Sequence, residues 1–297
     1  MPARRNIQVI TAPSILGLKP TGVERLASTL LSKDLITELK SEHAIIEVPT
    51  LNHLYDGERA AGSILNGDAV RDFSVTLSKI IQAEASPKKF LLVLGGDCSI
   101  LIGIMLGLKS KGNFGLFFLD GHADFYDPKT SITGEAADMD LALVTGRGPE
   151  ILTNINEARP YVNEEHVVHL GQRDLEETIR YNAKDIRETK ILCIDASFIR
   201  EHGIKASMDE IQKRLPALTI DGYWIHFDTD VLDDRSNPAV DYLLPGGLSI
   251  EECQLLLTNL INNYKIVGMT ITIYNPTLDP GGIVAKTLTD ILKNTIH

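Results

Sequence analysis

Two short segments carry residue types that do chemistry, at a spacing that lets them act together. One reads Leu119-Asp120-Gly121-His122-Ala123-Asp124 and follows the apolar run 115–118. The other, His226-Phe227-Asp228-Thr229-Asp230, follows the run 223–225. In an extended chain residues i and i+2 face the same side, so Asp120, His122 and Asp124 converge, as do Asp228 and Asp230. Ligands of open α/β sheets sit beyond the carboxyl ends of strands, where both segments fall. Four carboxylates and an imidazole in one crevice repel one another unless a cation neutralises them. That donor set suits Mn²⁺ among the divalent metals. Either segment alone reads equally well as loop-capping acids beside a satisfied histidine; the recurrence at a second strand end favours a metal site. His226 shares the side of Asp228 but sits deeper, and reads either as a hydrogen-bond partner of the site or as an ordinary core histidine. A third run, Leu94-Gly95-Gly96-Asp97-Cys98-Ser99, has two glycines that let the backbone turn tightly out of a strand. Asp97 or Ser99 can cap the helix that follows.

The elements that must position these residues show in the hydrophobic pattern. Short β-branched or aromatic runs predict strands at 7–11, 44–48, 90–94, 115–119, 167–170, 191–194, 223–227 and 266–273. Several are apolar throughout, as suits parallel strands covered on both faces. Helical periodicity fills 21–32, 68–84, 249–262 and 284–292. Ser249 can cap the third of these, and Glu251 and Glu252 suit its N-terminus. Strand alternating with helix predicts an α/β fold with a mainly parallel sheet, in one domain spanning 1–297.

The 297 residues are 43% hydrophobic and 23% charged, enough for a sizeable core and incompatible with intrinsic disorder. The net charge of −11 argues against nucleic-acid and anionic-membrane partners, which need a basic surface. Cys98, Cys193 and Cys253 are an odd, widely spaced set without a disulfide pattern, which fits a reducing compartment. No apolar signal region follows the two arginines near the start, and the most apolar stretch, 100–108, is too short to span a bilayer. A cytoplasmic, soluble protein is expected.

The three strand-end runs, Gly-Gly-Asp97-Cys98-Ser99, Asp120-Gly-His122-Ala-Asp124 and Phe-Asp228-Thr-Asp230, resemble the metal signatures of the arginase/agmatinase (ureohydrolase) superfamily, in order and at plausible spacing. The resemblance extends to Ala12-Pro13, to Gly171-Gln172-Arg173-Asp174, to Gly246-Gly247-Leu248 and to Asn275-Pro276, and so covers nearly the whole chain. It implies a three-layer α/β/α sandwich around an eight-stranded, mostly parallel sheet. It also implies two Mn²⁺ ions bridged by a water or hydroxide that attacks a guanidinium carbon. One ion would take Cys98, Asp120, Asp124 and Asp228; the other would take His122, Asp120, Asp228 and Asp230. A small-molecule substrate and a homo-oligomer are further implications.

Three positions depart from the family pattern. Cys98 stands where a histidine ligand is usual. It reads as a thiolate ligand favouring a softer ion, such as Zn²⁺ or Fe²⁺, or as a small buried thiol beside a site that has lost a ligand. As a thiolate it would leave one negative charge more than two divalent ions neutralise. Ala137 falls where a proton-shuttling histidine is usual. Glu135 or Asp138 could supply a carboxylate instead, although acids in a first helical turn are equally ordinary. Ile273 replaces the acid that holds the guanidinium, beside the neutral Thr272 and Tyr274. Glu176 falls where an acid meets the substrate amino group. Asp124, Glu135 and Asp138 are thus the candidates for catalysis, and Glu176 and Thr272 those for substrate contact. The implied activity is metal-dependent hydrolysis of a guanidino or amidino C–N bond. The alternatives are hydrolysis of another C–N bond, such as an amide, and a non-catalytic metal-binding relative.

Overall fold

The computed structural model describes residues 6–39, 41, 43–50, 54–215 and 220–296; the first five residues of the arginine-bearing N-terminus lie outside them. Eight strands are described: β1 Ile7–Thr11, β2 Ile46–Glu47, β3 Phe90–Leu94, β4 Phe114–Leu119, β5 Val167–Leu170, β6 Leu192–Ile194, β7 Gly222–Asp228 and β8 Ile266–Thr272. The strand expected at 44–48 shortens to two residues because it pairs with β1 alone, at the edge of the sheet. All eight form one sheet in the order β2-β1-β3-β8-β7-β4-β5-β6, and every pairing is parallel.

The connecting helices are α1 Leu26–Leu31, α2 Leu35–Leu39, α3 Gly67–Glu84, α4 Ile100–Lys109, α5 Asp140–Val144, α6 Glu150–Thr153, α7 Leu175–Arg180, α8 Ala196–Arg214, α9 Ile250–Asn263 and α10 Ile283–Thr295. The expected helix at 21–32 opens instead with a 3₁₀ turn at Val23–Arg25. Helix α9 begins at a capping box in which Ser249 Oγ accepts from Glu252 N and Glu252 accepts from Ser249 N. Helices α1, α2, α8, α9 and α10 pack on the sheet face carrying Val9, Leu92, Phe117 and Ile225. The opposite face, with Ile10, Val93, Phe118 and Trp224, is covered by α3, α4, α5 and α6. The result is a three-layer α/β/α sandwich whose strands are apolar because both faces are covered.

The layout matters because four neighbouring strands at the centre, β3, β8, β7 and β4, end together. Register places Leu94 beside Ile271, Phe227 beside Leu119 and Asp228 beside Thr272. Segments leaving these four ends are therefore neighbours, and the two acidic segments emerge on the same side of the sheet. The turn out of β3 has little room: a Cβ on Gly96 would lie 1.9 Å from the Ser14 carbonyl oxygen. Gly96→Ala should push this turn off the first loop and destabilise the protein by about 1–3 kcal/mol. A chemical-denaturation midpoint equal to wild type would show that the turn has slack.

Candidate metal centre

Backbone hydrogen bonds to side-chain carboxylates build the site. After β3, Asp97 Oδ1 accepts the Ser99 N–H (2.9 Å) and Oδ2 that of Gly17 (3.3 Å). Asp97 thus anchors the turn, while the Ser99 side chain makes no capping bond to α4. After β4, Asp120 Oδ1 accepts from His122 N (2.6 Å) and Ala123 N donates to Asp174 Oδ2 (3.1 Å). Asp230 Oδ1 accepts from Gly121 N (3.0 Å), so the two acidic segments bind each other. After β7, Asp228 Oδ1 accepts from Asp230 N (2.8 Å). Residues 171–174 fasten the assembly: Arg173 N donates to the Gly121 carbonyl (2.8 Å), and its guanidinium to the Asp230 carbonyl (2.6 Å). Asp124 is held at φ +45°, in the left-handed region non-glycine residues rarely adopt, and its carbonyl accepts from Ala142 N (3.2 Å).

These constraints bring Cys98, Asp120, His122, Asp124, Asp228 and Asp230 together. Donor atoms of Cys98, Asp120, His226 and Asp228 lie within 4.8 Å of one another, as do those of Asp120, His122 and Asp124. Cys98 Sγ donates to Asp228 Oδ2 at 2.8 Å and lies 3.1 Å from Thr272 Oγ1. Asp230 Oδ2 pairs with His122 Nδ1 at 2.9 Å. Two further residues enter the cluster. His226 is fully buried and stacks on Phe118, and its Nδ1 has no hydrogen-bond partner, so it is not a satisfied core histidine. Asp140 forms a third group with Cys98 and Asp124, again within 4.8 Å. Sequence reasoning passed over Asp140, yet Asp138-Met139-Asp140 repeats the i, i+2 acid spacing that marked the other two segments.

The electrostatics are those of acids lacking a counter-ion. Burial, then the neighbouring Asp230, pushes Asp120 up to about 7. Asp124, Asp140 and Asp228 rise well above the usual carboxylate range, first by burial and then by the charge of Asp120 on Asp124 and Asp140 and of Asp230 on Asp228. For His122 and Asp230 burial opposes charge, but their mutual attraction prevails: His122 rises and Asp230 falls. Burial keeps His226 neutral, its value lowered to about 3, and burial followed by the charges of Asp228 and Asp140 raises the Cys98 thiol. Among the described residues, Asp120 Oδ2 and both Asp140 oxygens form no well-directed hydrogen bond. Carboxylates, thiol and neutral imidazole gathered without enough donors fit a divalent cation, which would also draw the protons off the acids.

Cys98, His122, Asp124, Asp228 and Asp230 floor a cavity of about 290 Å³. Its wall includes Glu135, Asp138, Glu177, Asp241, Tyr242 and Ile273. Asp138 is the most poised of these acids. Its Oδ2 accepts from Ser131 Oγ (2.7 Å) and Thr133 Oγ1 (3.1 Å), its Oδ1 has no partner, and burial pushes it up to about 7. Glu135 accepts from the Tyr242 hydroxyl (3.1 Å) and lies 3.6 Å from Lys19 Nζ. Glu176 is exposed and does not line the cavity, whereas its neighbour Glu177 does, because the first turn of α7 carries the two side chains to different faces. Thr272 is fully buried, with its hydroxyl on Cys98 and outside the cavity lining. Ala137 and Ile273 both line the cavity.

The sequence model of the arginase family matches residues 25–297. An arginase of Staphylococcus aureus (strain COL) is 30% identical over 294 residues, covering 96% of this chain and 95% of the relative. An arginase of Bacillus caldovelox is 31% identical over 278 residues, covering 92% of each. The native structure of the Bacillus caldovelox arginase superposes with a TM-score of 0.86 at 26% identity, covering 98% of both chains.

Stability without metal should fall as pH rises through about 7. Above 6.5, the ordinary histidine value, His169 and His226 are neutral whether folded or not. Asp120 and Asp138 hold protons in the fold up to about 7 but release them near 3.8 when unfolded. The folded state therefore binds more protons, and raising pH destabilises it. In thermal melts, chelated protein should lose midpoint between roughly pH 6.5 and 8.5, and Mn²⁺ at 100 times its Kd should restore about 2.7 kcal/mol. Asp120→Asn and Asp228→Asn should remove that response. A wild-type midpoint unmoved by saturating metal would exclude a working metal site.

Proposed function

The chain belongs to the arginase family, and we propose that it hydrolyses a C–N bond of a cationic guanidino or amidino compound, with two divalent ions at the cluster. One observation carries this reading: the metal-ligating side chains of three strand ends converge on the floor of a cavity whose wall carries Glu135, Asp138, Glu177 and Asp241. Acids along a cleft concentrate and orient a cation, and a guanidinium bears its charge beside the bond to be cleaved. Cys98, Asp120, Asp124 and Asp228 would hold one ion, and His122, Asp120, Asp228 and Asp230 the other. Manganese suits the carboxylate-rich set, and a softer ion such as Zn²⁺ or Fe²⁺ suits the Cys98 position. When bound, the ions supply Lewis acidity and a more acidic water.

The chain's own residues do the rest. Asp138 moves the proton that the absent imidazole at Ala137 would have moved: a carboxyl near 7 both accepts and donates at neutral pH. Asp124, at the cavity floor, orients the reacting water. Glu135, steadied by Tyr242 and Lys19, and Glu177, in place of Glu176, hold the positive ends of the substrate. Thr272 holds the Cys98 sulfur rather than substrate.

The test is a screen of metal-loaded protein over guanidino and amidino compounds, reading urea and ammonia release. Turnover is expected on a member of the class and only weakly on L-arginine, since Ile273 leaves no acid to grip that guanidinium. Hydrolysis of no compound in the class would refute the reading. Asp138→Asn should lower kcat by about 10²–10⁴ with unchanged metal content. An unaltered kcat would take proton transfer away from Asp138.

A further inference from the structure

We propose that Asp140 is itself a metal ligand and completes, with Cys98 and Asp124, the coordination of the ion at the Cys98 end of the cluster. The proposal rests on the metal-centre reading above and adds a donor to it. Asp140 opens α5 and is 0% exposed, and neither of its oxygens forms a well-directed hydrogen bond among the described residues. A buried, unpaired carboxylate is among the costliest groups a fold can carry. The first turn of α5 offers the Leu141 N–H, whose pull is outweighed by burial and by the charge of Asp120. Its surroundings add negative charge instead: Asp124 and Cys98 have donor atoms within 4.8 Å, and the nearest basic nitrogen, His226 Nε2, lies 3.9 Å from Asp140 Oδ2 on a neutral ring.

A cation resolves this conflict, and the spacing suits one. Bonds of about 2.0–2.3 Å from Zn²⁺ to oxygen and sulfur put two donors of one ion no more than about 4.6 Å apart. Cys98 and Asp124 line the cavity, whereas Asp140 does not. Asp140 therefore grips the ion from the side away from substrate, leaving the cavity side open. The donor set changes accordingly. A thiolate with the carboxylates of Asp120, Asp124, Asp228 and Asp140 on one ion favours a borderline-soft cation with strong charge attraction, so the two ions of the centre are expected to differ in affinity for Zn²⁺.

The experiment uses the full chain, stripped of metal and titrated with Zn²⁺ and with Co²⁺. Asp140→Asn keeps the shape and removes the charge. It should weaken Zn²⁺ binding at one site by about 100-fold, at or beyond the top of the range for lost supporting partners, and leave the other site unchanged. The metal-free midpoint should be equal or higher, because an uncompensated buried acid is gone. Equal Zn²⁺ affinity at both sites, or a destabilised metal-free protein with unchanged binding, would overturn the proposal. Asp140→Cys gives a positive readout: a second sulfur on the ion should roughly double the thiolate-to-Co²⁺ charge-transfer absorption, and wild-type intensity would overturn the assignment. If wild type binds neither metal, the metal-centre reading fails with it. If wild type binds two ions and the Asp140 variants match it, only the Asp140 assignment fails.

Discussion

The structure depends on one constraint: five carboxylates, those of Asp120, Asp124, Asp140, Asp228 and Asp230, are buried in a single crevice. Charge in such a place is tolerated only with counter-charge or protons. The backbone supplies part of the compensation. The amides of Gly121, His122 and Asp230 point at Asp230, Asp120 and Asp228, and His122 faces Asp230 directly. Asp120 Oδ2 and both Asp140 oxygens remain without a well-directed hydrogen bond among the described residues, and the proposed cation would sit beside them.

The fold exists to hold that crevice still. A parallel sheet ends its central strands on one side, and β3, β8, β7 and β4 deliver a cysteine, a threonine and two acidic segments there. Close approach is part of the design. Ile273, at φ +71°, is a β-branched residue in a region that costs about 1–3 kcal/mol. Its N–H donates to the Gly96 carbonyl at 2.9 Å, tying the exit of β8 to the turn that carries Cys98. That tether offsets the strain and fixes an apolar side chain in the cavity wall.

The departures from the family pattern fall in one small volume. Cys98 meets Thr272 and Asp228; Ala137 and Ile273 line the cavity above. Loss of an imidazole at one point is met by another at His226 and by an added carboxyl at Asp140, while Asp138 brings an acid titrating near neutrality to the wall. The changes read as a rebuilt centre rather than an abandoned one, because abandoned acids would have no reason to stay desolvated together.

Much of this was legible in the sequence. Runs of four or five mostly apolar residues located β1, β3, β5 and β7 closely, since parallel strands covered on both faces carry polar residues only at a cost. The i, i+2 spacing after strands identified five converging residues, because strand geometry dictates which side chains share a side, and the family resemblance added Cys98. What the sequence could not decide depends on distance between elements. Glu176 and Glu177 are equivalent in the sequence, and only the rotation of α7 selects Glu177. Asp140 reads as a helix-start acid until packing buries it beside Cys98 and Asp124 with no well-directed hydrogen bond among the described residues. His226 reads as a core histidine until its ring is found beside Cys98, Asp120 and Asp228, with Nδ1 unpartnered and Nε2 3.5 Å from Thr272 Oγ1. Local periodicity is set by covalent geometry, and so a sequence carries it; which charges are left unpaired is set by the packing of segments up to 174 residues apart, and only the tertiary structure settles it.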